Sequence, residues 1–186
     1  MSPCTPVLAA LALALALALA LAAAPALAAP APAAGAMAHV TFKAGDGSDS
    51  GMAMLTDAPT GVMLRLELKG LPPGWHGIHF HAKGDCSDNA AGFLASGAHI
   101  HAMEHPHGLM NPNGPDMGDL PNVYAAADGT VHAAVFSTLV SMNGAGGRSA
   151  LADADGSAIV VHANADDGAT QPIGGAGPRI ACAVVK

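Results

Sequence analysis

The chain has 186 residues and a formal net charge of −7, with 7 Lys and Arg against 14 Asp and Glu, none of them before Lys43. That balance excludes the basic footprint of a nucleic-acid binder, so no nucleic-acid partner is expected. The 51% hydrophobic content is swollen by an N-terminal leader and does not describe the domain that follows.

Residues 7–24 are almost entirely Leu and Ala, and Ala26-Leu27-Ala28 forms a small-x-small cleavage site. This predicts a signal peptide over residues 1–28, and hence an exported protein, periplasmic or secreted. The same apolar run is long enough to anchor the protein in a membrane if it is not cleaved. A Pro/Ala linker at 29–37 leads into a domain at 38–186, a length that suits one folding unit. Cys4 precedes the apolar run. Cleavage would leave Cys86 and Cys182, and two cysteines in an oxidising compartment suggest one disulfide.

Beyond the linker the chain breaks into short strand-like runs separated by turn residues. Residues 39–43 come first, then 51–55, followed by the turn Asp57-Ala58-Pro59-Thr60-Gly61. Residues 62–69 alternate with period two, placing Arg65, Glu67 and Lys69 on one face. Gly70-Leu71-Pro72-Pro73-Gly74 turns the chain into His76-Gly77-Ile78-His79-Phe80-His81. Residues 83–121 sustain no period and are rich in His, Gly, Pro, Asn and Asp; a stretch of that length without structure inside a compact domain is usually functional. Strands resume at 123–125, 130–136 and 158–162. A second loop, 164–178, precedes the closing strand 179–185. Eight short strands with two long loops predict an all-β fold, an eight-stranded Greek-key barrel or sandwich.

Of ten histidines, seven lie between Trp75 and Asp119. His79 and His81 are two apart, so on a strand both project from one face and can converge on one ion. On a helix they would point about 200° apart. With His99, His107, His162 and Asp119 they form a set whose donors suit copper and zinc. His39, His76 and His132 read as surface or satisfied core residues.

The motifs Gly84-Asp85-Cys86, Gly97-Ala98-His99, His107-Gly108, Gly118-Asp119-Leu120-Pro121-Asn122, Val161-His162 with Ala165-Asp166-Asp167, and Gly177-Pro178-Arg179-Ile180-Ala181-Cys182 follow His76 to His81 in order. Together they resemble copper/zinc superoxide dismutases, over essentially the whole domain. The resemblance implies a Greek-key barrel holding copper and zinc against its loops, and disproportionation of superoxide, the small anion substrate, to dioxygen and peroxide. It makes His79, His81, His99 and His162 the copper ligands, with His99 bridging to zinc as well as supplying a proton. His107 and Asp119 would continue the zinc site, and Asp166 would join the two metal sites. Arg179 would position the anion, with Cys86 bonded to Cys182 to tie the metal loop to the Arg179 strand. A homodimer is compatible with this reading.

Two features depart from the family pattern. Asp116 stands where the third zinc histidine falls, and residues 168–178 carry no Lys or Glu to steer the anion. Asp116 is expected to be a zinc ligand, the rivals being a copper-only protein or substitution by His101 or His105. The rival to the enzyme is an exported metal-binding protein on the same fold, with little or no dismutase turnover; it would have no need of Arg179.

Overall fold

The computed structural model describes residues 35–101 and 105–186. The expected leader and all but the last residues of the linker lie outside them. Eleven strands follow in chain order: β1 (Met37–Ala44), β2 (Asp49–Ala58), β3 (Gly61–Leu68), β4 (Gly74–His76), β5 (Ile78–His81), β6 (Val123–Ala125), β7 (Val131–Ser137), β8 (Val140–Ser141), β9 (Ser149–Ala150), β10 (Ser157–His162) and β11 (Arg179–Val185). All eight expected strands are present. The His-x-His strand is divided at Gly77 into β4 and β5. The parallel pair β8–β9 is new, its strands being two residues each and too short to carry a period.

Seven strands form one sheet in the order β5-β10-β11-β1-β2-β3-β7. β3 therefore neighbours β2 in a hairpin, while β5, the next strand of this sheet in sequence, lies at the far edge, a Greek-key crossing. β4 pairs with β6, and β6 turns at residues 126–130 into β7, so this short ladder links the two edges of the curled sheet.

Period-two alternation explains which side chains fill the interior. Val40 and Phe42, Ala53 and Leu55, Leu64 and Leu66, Ile78 and Phe80, and Ile159 and Val161 point inward and are buried in one cluster. Each such Leu, Ile or Phe contributes roughly 1.5–3 kcal/mol by leaving water. The partners that alternate with them on β5 and β10 are buried too, because the loops cover that outer face. Phe93 packs there with Ala158, Val160, Cys182 and Cys86. Cys86 and Cys182 form the expected disulfide, so the loop that covers β10 is bonded to β11.

Gly77 divides β4 from β5 because a loop rests on it. Its N–H donates to Asn164 O at 2.8 Å, and its own carbonyl accepts from His162 N at 2.8 Å. A Cβ at that position would lie 2.9 Å from Ala176 Cβ and 3.3 Å from Asp166 Cβ. Only glycine lets the Asp166 loop approach so closely.

Candidate metal centre

β5 sends Ile78 and Phe80 into the core and His79 and His81 to the opposite face. β10 lies beside it, with His79 opposite Val160 and His81 opposite Ala158. A bulge after Val161 then re-aims His162 toward the same point. His99 arrives from the long loop, bridged to His81, and Asp119 is bridged to His79. One donor atom from each of His79, His81, His99 and His162 falls within 4.8 Å of the others.

The hydrogen bonds say which atoms converge. His79 Nε2–H donates to Asp166 Oδ2 at 2.8 Å, His81 Nδ1–H to Gly97 O at 2.9 Å, and His162 Nδ1–H to Gly177 O at 2.9 Å. His99 turns Nδ1 toward Asp116 and Asp119. The opposite ring nitrogens, His79 Nδ1, His81 Nε2, His99 Nε2 and His162 Nε2, are all buried and lack a hydrogen-bond partner. Four buried lone pairs left without donors would each cost desolvation energy unless an ion takes them. Their number and chemistry fit copper.

A second set lies on the other side of His99, where His79, His99, His107 and Asp119 group within the same limit. His107 Nδ1 is 2.6 Å from Asp119 Oδ1, and His99 Nδ1 is 3.8 Å from that oxygen. Asp116 stands beside this set. It is fully buried, with Oδ2 3.3 Å from His99 Nδ1 and Oδ1 accepting from Gly118 N at 2.9 Å. Tetrahedral ligands of zinc, at about 2.0–2.1 Å from the ion, are about 3.3–3.4 Å apart. The observed spacings bracket that value, so two imidazoles and two carboxylates fit zinc. Asp119 Oδ2 accepts from Gly108 N and Asp116 N, which leaves Oδ1 free to face inward.

Burial drives the His81 pKa down to about 2 and that of His162 to about 3, while His79 is also lowered by burial against its bond to Asp166. The His81 and His162 rings are therefore neutral donors at physiological pH. His107 behaves oppositely. Burial opposes its charge, but bonds to Asp119 and to Asp166 outweigh that and raise it to about 10. Burial works against the Asp166 charge as well; the bonds from His107 and His79 hold its carboxyl far below the usual range.

Arg179 opens β11 and is half-buried. Its Nη1 donates to Phe93 O at 2.7 Å and Ser96 Oγ at 3.0 Å, and its Nη2 to Gly97 O at 2.7 Å. With His162, Ala91, Gly92, Leu94, Ile173, Gly177 and Pro178 it lines a cleft of about 270 Å³. Phe93, buried with φ +56°, turns its carbonyl to the guanidinium from the left-handed region that side chains usually avoid.

Residues 49–185 match the family model of copper/zinc superoxide dismutase. The Cu-Zn superoxide dismutase of Caulobacter vibrioides is 61% identical over 150 residues, which cover 80% of this chain and 85% of that protein. The chain belongs to the copper/zinc superoxide dismutase family. A Cu-Zn superoxide dismutase of Aquifex aeolicus is 35% identical over 80% of this chain and 86% of its own. Among solved structures, a SOD-like protein from Bacillus subtilis superposes with a TM-score of 0.75 at 31% identity, covering 81% of this chain and 100% of that one. The Cu/Zn superoxide dismutase from Brucella abortus gives 0.64 at 28%, over 81% and 100%.

The structure brings His79, His81, His99 and His162 together, and His107 and Asp119 with His79 and His99, with Asp116 beside His99. Asp166 spans both sets, with Oδ2 on His79 and Oδ1 3.2 Å from His107 Nε2. His76 is a buried core residue, its two ring nitrogens each 2.7 Å from a backbone carbonyl, those of His162 and Pro72. His101 is half-exposed with Nδ1 3.4 Å from Asp116 Oδ2, while His105 is exposed beside Asn113 O. The superoxide dismutase motifs did not single out Ser96, which holds Arg179, or Gln171, which donates to His107 O at 2.7 Å. Asn122, which ends the Gly118-to-Asn122 motif, exchanges two hydrogen bonds with the Asp166 backbone. None of the three carries a local signal, since each acts across more than 40 residues of sequence.

Proposed function

We propose that this chain disproportionates superoxide at copper held by His79 Nδ1 and by Nε2 of His81, His99 and His162. Zinc would be held by His99 and His107 through Nδ1, with Asp119 and Asp116 supplying carboxylate oxygens. The observation that carries this reading is the convergence of four unpartnered, buried imidazole nitrogens, each with its opposite nitrogen directed at an oxygen. Bound there, copper supplies one-electron redox chemistry, by which two superoxide anions and two protons become one dioxygen and one hydrogen peroxide, while zinc supplies a fixed divalent charge.

The chain's own residues do the rest. Asp166, Gly97 O and Gly177 O fix the tautomers of His79, His81 and His162, so that each lone pair points inward. Arg179, with three oxygens bracing its guanidinium, holds the anion beside His162 in the cleft. His99 takes up and returns a proton at Nε2, its other nitrogen being kept in place by Asp116 and Asp119. With no Lys or Glu in residues 168–178, capture of the anion falls to Arg179 and the backbone dipoles, below the steered limit.

A protein that merely stored metal would have no use for Arg179 at the mouth of the cleft. The test is metal analysis of the purified protein beside a superoxide-consumption assay. Activity that tracks copper content supports the reading; full copper occupancy without superoxide consumption refutes it.

The leader and the Cys86–Cys182 bond support export to the periplasm or medium. Fractionation that finds the protein in the cytoplasm with both thiols free would overturn this. The same reading includes a homodimer. The exposed Trp75 and Tyr124, edge to face at 5.1 Å on the β4–β6 ladder, offer its contact. Sedimentation of wild type beside Trp75→Ala tests it.

A further inference from the structure

The outer face of β1–β2–β3 breaks the rule that its inner face obeys. Alternation sends Ala53 and Leu55 of β2 into the core, so positions 52 and 54 face outward, where polar residues belong. Both are methionine, Met52 about half exposed at 49% and Met54 partly covered. Being two apart on one strand, they project from the same face. The register sets His39 of β1 directly opposite Met54 on one side, with Arg65 of β3 opposite it on the other. Glu67 stands opposite Met52. These five side chains line one cavity of about 210 Å³.

Two thioethers and an imidazole on one face are a soft donor set. Methionine is unbranched, with three rotatable bonds, so its sulfur can move to meet a ligand. Cross-strand neighbours lie within reach of such side chains. Thioether sulfur is a soft donor that suits Cu(I), and being neutral it offers zinc none of the charge that makes thiolate a zinc ligand. No free thiol competes for a soft ion among the described residues, because Cys86 and Cys182 are bonded to each other. Arg65 and Glu67 offset one another at the rim, so a monovalent ion meets no net repulsion there.

We propose that His39, Met52 and Met54 form a surface site for a soft monovalent ion, Cu(I) in the cell, separate from the catalytic pair of metals. The site lies on the β1–β2 ladder, and β11 separates it in the sheet from the strand carrying His162. It uses none of the catalytic ligands, so it stands or falls independently of the dismutase assignment.

The test uses the full protein with its copper and zinc sites filled, labelled with 13C at the methionine methyl groups. Ag(I) is the probe, having the charge and closed d shell of Cu(I) without its redox chemistry. One equivalent should shift the methyl resonances of Met52 and Met54, leave those of Met37, Met63 and Met110 in place, and be unaffected by excess Zn(II). The Met52→Leu/Met54→Leu double variant keeps side-chain volume. It should bind the ion at least tenfold more weakly in competition with a chromogenic chelator, with copper and zinc content and superoxide consumption unchanged. A second probe, Cu(I) under anaerobic reducing conditions, should show the same difference between wild type and double variant. If the methyls of all exposed methionines shift together, if none shifts, or if the double variant binds as tightly as wild type, the site does not exist.

Discussion

His162 stands directly opposite Arg179 across the β10–β11 ladder, at the bulge that follows Val161. One backbone register thus fixes the spacing between a metal-facing imidazole and the guanidinium in the same cleft. The two should nevertheless separate on mutation. Arg179→Ala is expected to lower superoxide turnover roughly 100-fold, the lower end of the loss seen on removing one preorganised charge-stabilising donor, while copper content stays at the wild-type value. His162→Ala should lose copper itself. Metal analysis and superoxide consumption on the same preparations check both, and an Arg179→Ala protein with full activity would remove the arginine from the mechanism.

The Cys86–Cys182 bond closes 96 residues of chain and fastens the loop whose Phe93, Ser96 and Gly97 oxygens hold Arg179. Its removal in Cys86→Ser/Cys182→Ser should cost about 2–5 kcal/mol. Activity should fall further than copper occupancy, because the loop positions the guanidinium as well as His99. Denaturant unfolding and activity per bound copper read the two effects separately. Equal stability in the double variant would count against the tie.

The parts of this molecule legible in the sequence are those governed by local rules. Period-two alternation exposed the strands, and the spacing of His79 and His81 exposed the face on which they converge. What alternation could not give is the division at Gly77, which depends on a loop arriving some 90 residues later in the chain. Ser96, Asn122 and Gln171 were equally hidden, since each bonds a group distant in sequence. The approach of His101 to Asp116 arises the same way: the two stand fifteen positions apart in sequence, and no periodicity relates them.

The metal-free protein should lose stability on acidification from pH 6.5 downward. His81 and His162 are neutral in the folded state, with pKa values of about 2 and about 3, whereas in the unfolded chain they titrate near 6.5. Below that value the unfolded state binds more protons, so stability falls as pH falls. At full slope each imidazole contributes about 1.4 kcal/mol per pH unit. His107, raised to about 10, has the opposite sign: its contribution is complete below about 6.5 and is lost as pH rises through 10. A maximum near neutrality follows. Urea unfolding of the disulfide-intact, metal-free protein between pH 4.5 and 9 should show it, with the acid slope reduced in His162→Gln. A flat profile below pH 6 would contradict the neutral burial of these rings.

Asp116 decides whether the second metal is bound with two imidazoles or three. A carboxylate oxygen, like imidazole Nδ1, is two bonds from Cβ, so aspartate reaches the point that a histidine would reach without moving the backbone. Here the side chain is already set: Oδ1 is tied to Gly118 N and Oδ2 lies 3.3 Å from His99 Nδ1. Zinc accepts carboxylate oxygen at about 2.0–2.2 Å, close to its distance to nitrogen, and two carboxylates would neutralise its charge formally. His101 meets the same Oδ2 from the solvent side at 3.4 Å, which orients the carboxylate and leaves the interior position to it. Zinc titrations against a competing chelator should therefore give one tightly held ion in wild type. Affinity should fall by at least about tenfold in Asp116→Ala, the scale known for loss of even an outer partner, and be retained in Asp116→His, with little change in His101→Ala. If His101→Ala rather than Asp116→Ala releases zinc, the imidazole is the ligand. If wild type takes up no zinc while Asp116→His does, the carboxylate has cost the protein its second metal.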